Sequence, residues 1–296
     1  MAKPTLLLDA SIYIFQYYFS MPDNWFSQQQ GWPTAAVYGY TTFLTKLLEQ
    51  QLPQKIAACF DESLGSCFRN TIYPEYKSSR ARPDKALAFQ LTACRQVTQL
   101  MGVPTFASAN YEADDLLGSL YKRLIRTKNP IAVLTRDKDL SQLIAREQDF
   151  LWDYAADKKY YRDDIIAKYG ILPQQFSDYL ALVGDVSDDI PGVPGIGSKT
   201  AQVLLAEMGD LDGLWQRLDN VAMLPIRGAR SLAEKLLHYK QQILMAKQLA
   251  TIRQDLSLIH SVAELKWQSI DWHSLEAFCS VMGFPRLFTR IAKLAV

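Results

Sequence analysis

Apolar positions in the first half of the chain fall into short, compact runs. TLLLD (5–9), KIAACFD (55–61) and PIAVLTRD (130–137) are each bounded by polar or turn residues, which predicts short buried strands. Between them, apolar residues recur at helical spacing in VYGYTTFLTKLLEQ (37–50), FQLTACRQVTQLMG (89–102) and ADDLLGSLYKRLIR (113–126). Strands alternating with helices imply right-handed crossovers and a mainly parallel sheet. After about residue 170 the strand pattern is gone. QQFSDYLALVG, SKTAQVLLAEMG, LAEKLLHYKQQILMAKQL and SLEAFCSVMG all read as helices, several closed by glycine. The pattern predicts an α/β domain over residues 1–170 and a smaller helical domain over 171–296. No internal repeat or low-complexity tract interrupts it.

Composition narrows the class. With 296 residues, 49% hydrophobic and 21% charged, the chain is an ordinary globular protein with room for two domains. The opening MAKPTLLLDAS has too short an apolar run for a signal peptide, and Asp9 breaks it. No run approaches the roughly 18 apolar residues of a membrane span. Cys59, Cys67, Cys94 and Cys279 lack C-x-x-C spacing, which argues against a zinc site or disulfide framework and for a reducing cytoplasm. The net charge of +1 hides a local asymmetry. Lys77, Arg80, Arg82 and Lys85 crowd residues 76–85, and Arg227, Arg230, Lys235 and Lys240 crowd 226–240, while acids bunch at 112–115, 137–139 and 185–189. Any one of these clusters alone reads as a solvated face.

The acids change that reading when taken together. All three predicted strands finish on aspartate: Asp9, Asp61 and Asp137. Ligands of open α/β sheets bind at the carboxyl ends of strands, and three carboxylates converging there need a cation between them or strongly raised pKa values. One such Asp alone would be a turn residue or helix cap. Glu112 and Asp115 are spaced to share a helix face, with Asp114 beside them, although acids at a helix start capped by Asn110 would look the same. Asp137 and Asp139 lie on one side of an extended segment, and Asp185 and Asp188 are one helical turn apart. Carboxylates with no histidine or cysteine among them select hard cations, Mg²⁺ or Mn²⁺. A pair of such ions roughly 4 Å apart is the usual device for displacement at phosphorus.

The combination YEADDLLGSL, TRDKDLSQL and YLALVGDVSDDIPGVPGIGSKTA resembles the structure-specific 5′ nucleases, from about residue 4 to about 290. That family includes the 5′-nuclease domain of bacterial DNA polymerase I, phage 5′ exonucleases and flap endonucleases. Because the sequence stops at Val296, it resembles a stand-alone 5′–3′ exonuclease without a polymerase domain. The resemblance implies a PIN-like mainly parallel sheet flanked by helices, followed by a helical domain with a helix–three-turn–helix motif at about 176–208. It implies that Asp9, Asp61, Glu112, Asp114 and Asp115 surround a first metal, and that Asp137, Asp139, Asp185 and Asp188 bind or orient a second. FRNTIYPEYKSSRARPD, within 68–90, matches the family's helical arch, where Lys77 and Arg80 would contact the scissile phosphate and Tyr76 would stack on a base. Arg82 would add a DNA contact.

The implied reaction is hydrolysis of DNA at 5′ flaps, nicks or 5′ ends, giving 5′-phosphate and 3′-hydroxyl products. The enzyme would be a monomer in the bacterial cytoplasm, associated with the nucleoid during repair and replication. Two positions depart from the family pattern and one adds to it. Ala10 replaces a glycine, Gln16 stands where an arginine is usual, and Asp189 adds a charge after Asp188. Two other readings stay open: a PIN-like RNase, and a branched-DNA binding module without catalysis. An aspartyl phosphatase would want D-x-D after the first strand, and Asp9-Ala10-Ser11 does not provide it.

GVPGIGSKT (192–200) invites a P-loop reading, but Lys199 is out of register and the segment follows a helix instead of a strand. Gly192, Gly195 and Gly197 would let backbone approach phosphates, and the next helix would offer free N–H groups. In the family this loop grips one strand of a duplex and often binds K⁺. Here Ser198 and the carbonyls of Val193 and Ile196 would hold K⁺, while Lys199 and Thr200 would add phosphate contacts.

Overall fold

The computed structural model of the chain describes residues 3–63, 65–226 and 228–294. Six strands form one sheet in the order β3-β2-β1-β4-β5-β6. They are β1 (Thr5–Asp9), β2 (Ile56–Asp61), β3 (Thr105–Ser108), β4 (Ile131–Leu134), β5 (Phe150–Asp153) and β6 (Lys158–Tyr161). The first five run parallel, and β6 pairs antiparallel with β5. All five residues of β1 and all four of β4 are buried, as expected of central strands covered by helices on both faces. Helices α1 (Ala10–Ser20), α2 (Ala35–Gln51), α3 (Phe68–Ile72), α4 (Lys85–Leu100), α5 (Ala113–Leu124) and α6 (Arg162–Tyr169) complete this half. One face packs Tyr13, Leu44 and Val97 from α1, α2 and α4 against Leu6 and Leu8. The other packs α5 through Leu116, Leu117 and Leu120 against Leu7 and Val133.

β3, β5 and β6 escape the apolar-run pattern for separate reasons. TFAS is only half buried, FLWD is short, and KKYY is a largely exposed edge whose lysines discourage further pairing. The strand predicted over 130–137 ends at Leu134, because the Thr135 hydroxyl accepts from the Asp137 N–H at 2.9 Å and turns the chain.

The helical layer holds α7 (Phe176–Val183), α8 (Ser198–Met208), α9 (Leu211–Gln216), α10 (Ala229–His238) and α11 (Lys240–Ala250) around Phe176, Leu205 and Ile243. The long helical pattern of 232–249 is two helices, which meet at Tyr239. The expected boundary at 170/171 leaves out a return of the chain. After α11, Ile252 and Leu265 join the α5 side of the sheet, and α12 (Trp272–Val281) and α13 (Pro285–Ile291) pack on the α1–α2–α4 side. The Thr34 hydroxyl donates to the Met282 carbonyl at 2.9 Å, and the Trp267 indole to that of Met101 at 2.9 Å. The last 45 or so residues thus bury their apolar faces against the first half. No helix among the described residues is long and apolar enough to cross a membrane.

Candidate active site

The strand order reverses at β1, between β2 and β4, and the crevice at such a switch point is the ligand position of open α/β sheets. Asp9 ends β1 and caps α1, its Oδ1 accepting from the Ile12 N–H at 3.4 Å. Its Oδ2 accepts from the Thr135 hydroxyl at 2.9 Å, and Asp137 Oδ1 accepts from the Asp139 N–H at 2.8 Å. These contacts draw the loop after β4 over the end of β1. Asp61 Oδ1 accepts from the Ala113 N–H at 2.7 Å, which fastens the start of α5 to β2. Glu112, and not Asn110, caps α5, in a capping box with Asp115.

The acids share one electrostatic field. Burial pushes the Asp9 carboxyl up to about 8, with repulsion from Asp61 added. Burial, then Asp137 and Asp9, holds Asp114 well above the carboxylate range. Asp61 is raised by burial and Glu112, and Asp139 is pushed up to about 7 by burial and Asp137. Each group is raised by an acid outside its own element or by its neighbour in the same loop, as expected of like charges gathered in a poorly solvated crevice. Asp139 Oδ1 is buried without a hydrogen-bond partner.

Cations already crowd this field. Lys77 Nζ lies 2.6 Å from Glu112 Oε1 and 3.5 Å from Asp188 Oδ2, Arg80 Nη2 lies 2.5 Å from Asp188 Oδ1, and Lys138 Nζ lies 2.5 Å from Asp185 Oδ2. Burial alone would lower the Lys77 ammonium, but Glu112, Tyr76 and Asp188 hold it well above its usual value. Burial would raise Asp185, but hydrogen bonds from Lys138 and Ser187 bring it below the usual range. As the side chains stand, no three His, Cys, Asp or Glu among the described residues converge closely enough to enclose a metal. Several of the carboxylate oxygens that would do so are held by Lys77, Arg80 and Lys138.

The basic segment is stapled to the second acid pair. The Lys77 N–H donates to the Asp188 carbonyl at 3.0 Å, and the Ser79 N–H to Asp189 Oδ2 at 2.9 Å. Asp189, the extra acid, thus serves as a clasp. Lys77 and Asp189 both adopt left-handed backbone, with φ of 53° and 55°. Such conformations in non-glycine residues cost on the order of 1–3 kcal/mol each and cluster at functional sites. Beneath the segment lies a cavity of about 330 Å³ lined by Tyr76, Lys77, Arg80, Arg82 and Glu112.

Two expected roles do not match the geometry. Asp115 is fully buried, and Arg69 grips both its oxygens at 2.7 and 2.8 Å. The Glu112 and Arg253 N–H groups donate to the same carboxylate at 3.1 and 2.9 Å. With those hydrogen bonds, Asp115 positions α5. Tyr76 is also buried: its ring packs in the core of the helical layer, and its hydroxyl lies 2.9 Å from Glu112 Oε2 and 3.2 Å from Asp188 Oδ2. Arg69 went unread in the sequence because a lone arginine in FRNTI carries no pattern. It also donates to the Leu249 and Thr251 carbonyls at 2.7 and 3.0 Å, tying α3 to the end of α11. Lys138 was visible inside TRDKD between two acids. Thr135 had no signal.

The glycine loop leads from α7 to α8. Gly184 has φ of 80°, and a Cβ on Gly192 would overlap the Val183 backbone, so the two strands of the loop touch only because both are glycine. Val193 and Ile196 point their side chains inward; the Val193 carbonyl accepts from the Ile196 N–H at 2.9 Å. Gly195, Gly197, Ser198 and Lys199 are exposed, and Thr200 is half-buried. The Ser198 hydroxyl pairs with that of Tyr179 at 2.8 Å, and Lys235 Nζ donates to the Pro194 carbonyl at 3.2 Å. Of the other basic residues near it in sequence, Lys240 stands over the Trp215 ring at 5.0 Å, and Arg227 lies outside the described residues.

This arrangement can be set beside known proteins. The N-terminal resolvase-like domain of 5′–3′ exonucleases matches residues 4–170, and their C-terminal SAM fold matches residues 171–273. A 5′–3′ exonuclease of Buchnera aphidicola subsp. Schizaphis graminum is 34% identical over 86% of this chain and 88% of its own length. DNA polymerase I of Bacillus subtilis is 32% identical over 98% of this chain, which spans only 32% of that relative. In fold, the chain resembles zinc-bound T5 5′-exonuclease, with a TM-score of 0.65 at 17% identity, covering 99% of this chain and all of the other. It also resembles the catalytic core of Rad2 in complex with DNA substrate, with a TM-score of 0.64 at 16% identity, covering 99% of this chain and 92% of the other. The mainly parallel sheet over residues 4–170 and the helical SAM-type layer that follows are both matched by the family models, and the chain belongs to the 5′–3′ exonuclease family.

Proposed function

We propose that this chain hydrolyses DNA phosphodiesters at 5′ flaps, nicks and 5′ ends, with the carboxylate crevice as the site of the cut. The observation that carries the reading is that acids from β1, β2, α5 and the loop after β4 are buried together and raise one another's pKa values. The groups fit hard divalent cations: the donors are all carboxylate oxygens, one of them, Asp139 Oδ1, buried without a hydrogen bond and with only Lys138 Nζ at 3.6 Å beside it. Asp9, Asp61, Glu112 and Asp114 would hold one ion, and Asp137, Asp139, Asp185 and Asp188 a second, with Mg²⁺ or Mn²⁺ as the species. When bound, such ions supply charge neutralisation and an acidified water for hydrolysis at phosphorus.

The chain's own groups then change partners. With Glu112 and Asp188 neutralised, Lys77 and Arg80 would turn to the substrate phosphate, where cations stabilise developing charge. Asp115 and Arg69 keep α5 and the end of α11 in place throughout. The exposed start of α8 would take the phosphates of a duplex strand, with Lys199 and Thr200 beside it. A K⁺ at that loop would have Lys235 as its neighbour. The working unit would be a cytoplasmic monomer of two parts, in which residues 171–250 form the DNA-binding layer.

The test is incubation of purified chain with 5′-labelled flap DNA and Mg²⁺. Cleavage abolished by EDTA is expected. Tight binding without cutting in either Mg²⁺ or Mn²⁺ would leave a binding module instead.

A further inference from the structure

A cleft of about 190 Å³ adjoins Asp137, and the strand order places it on the β5–β6 side of the crevice. Lys77 and Arg80 are not among its lining residues and are held at the crevice by Glu112 and Asp188. Three cations from two elements line the cleft: Arg136 and Lys138 in the loop after β4, and Lys168 near the end of α6. Arg136 is half exposed and loosely held, its Nη1 3.4 Å from Gln16 Oε1 and its Nε 3.4 Å from Asp153 Oδ2. Lys168 Nζ rests over the rings of Tyr160 and Tyr169, 5.6 and 5.0 Å from their centroids. An ammonium held on ring faces is aimed without being neutralised, so its full charge is presented to the cleft.

The cleft is smaller than the roughly 300 Å³ at which pockets for separate small molecules begin. Its cations and its opening beside Asp137 suit one phosphate of a longer chain. We propose that it is a second phosphate subsite for the substrate strand, taking the backbone phosphate that neighbours the one at the carboxylate crevice. Lys168 and Arg136 contact that phosphate, and Asp153 and Gln16 hold the guanidinium over it. This rests on the reading of DNA as the substrate. A strand would then cross the crevice between two cationic ends, Lys77–Arg80 on one side and Arg136–Lys168 on the other.

The experiment replaces the phosphates around the cut, one at a time, by neutral methylphosphonates. Binding is read with Ca²⁺, and single-turnover cleavage with Mg²⁺. One position beside the cut should weaken wild-type binding and leave Lys168→Ala unchanged, while Lys168→Arg behaves as wild type. Lys168→Ala should also make the slope of log affinity against log salt shallower by about 1. Losses from Lys168→Ala and the methylphosphonate that multiply at every position, or an unchanged salt slope, overturn the subsite. A wild-type chain that cuts flaps yet ignores neutral phosphates beside the cut overturns the subsite alone. One that neither binds nor cuts DNA overturns the nuclease reading with it.

Discussion

Asp114 and Asp115 are neighbours with opposite consequences. Asp115 and Arg69 form a buried bidentate pair, and removing one partner of such a pair costs about 3–5 kcal/mol because the other charge is left unpaired. Asp115→Ala should therefore lower Tm by roughly 10 °C in EDTA. Asp114→Asn removes a like charge from a repelling cluster, so it should leave Tm in EDTA unchanged or higher while abolishing cleavage. Thermal scans of both variants, paired with a flap assay, check the contrast; equal destabilisation would return Asp114 to a structural role. The same cluster sets a pH dependence. Asp9 and Asp139 keep their protons up to about 8 and about 7 when folded. Their protonated forms favour the folded state fully below about pH 4, and that advantage is lost as pH rises to about 8. Tm in EDTA should fall over that window, and divalent cations should flatten the fall; a Tm independent of pH would contradict the shared field.

At the scale of elements, much of the site was legible because its acids sit at strand ends and helix starts, where periodicity marks boundaries. Asp9 and Asp61 end β1 and β2 and were readable from apolar runs that stop at an acid, while Glu112, which precedes α5, was readable from its helical spacing to Asp115. What periodicity could not give was the direction of a side chain once a partner from a distant element claimed it. Arg69 takes Asp115, and the helical layer takes the Tyr76 ring. The glycine loop divides in the same way. Gly192→Ala must push the Val183 backbone aside, so it should destabilise the protein and displace Asp185 and Asp188 with it. A Cβ on Gly197 would meet nothing within 4 Å, and the backbone there is one any residue adopts, so Gly197→Val should cost only the poorer N-cap it gives α8, a small fall in Tm. It should nonetheless weaken duplex binding, because the branched side chain stands where α8 meets phosphate. Unchanged affinity in Gly197→Val would remove the loop from the DNA interface.

At the scale of the molecule, the two halves are joined at the site itself. Lys138 binds Asp185, Lys77 and Arg80 bind Asp188, and Arg69 reaches the end of α11. The return of α12 and α13 to the first half closes the chain around this junction. The alternation of strands and helices foretold the sheet, but not that the C-terminal apolar faces would be buried by the first domain, since amphipathic spacing names no partner. The crevice would be a divalent-cation nuclease centre whose acids are paired here with Lys77, Arg80 and Lys138. Its most direct measurement is the single-turnover rate of 5′-flap cleavage by the purified chain as Mg²⁺ is titrated from EDTA. No cutting is expected without metal, with a rate that rises more steeply than first order at low Mg²⁺ and products bearing 5′-phosphate and 3′-hydroxyl ends. A chain that binds the flap but leaves it whole at every Mg²⁺ concentration would contradict that reading.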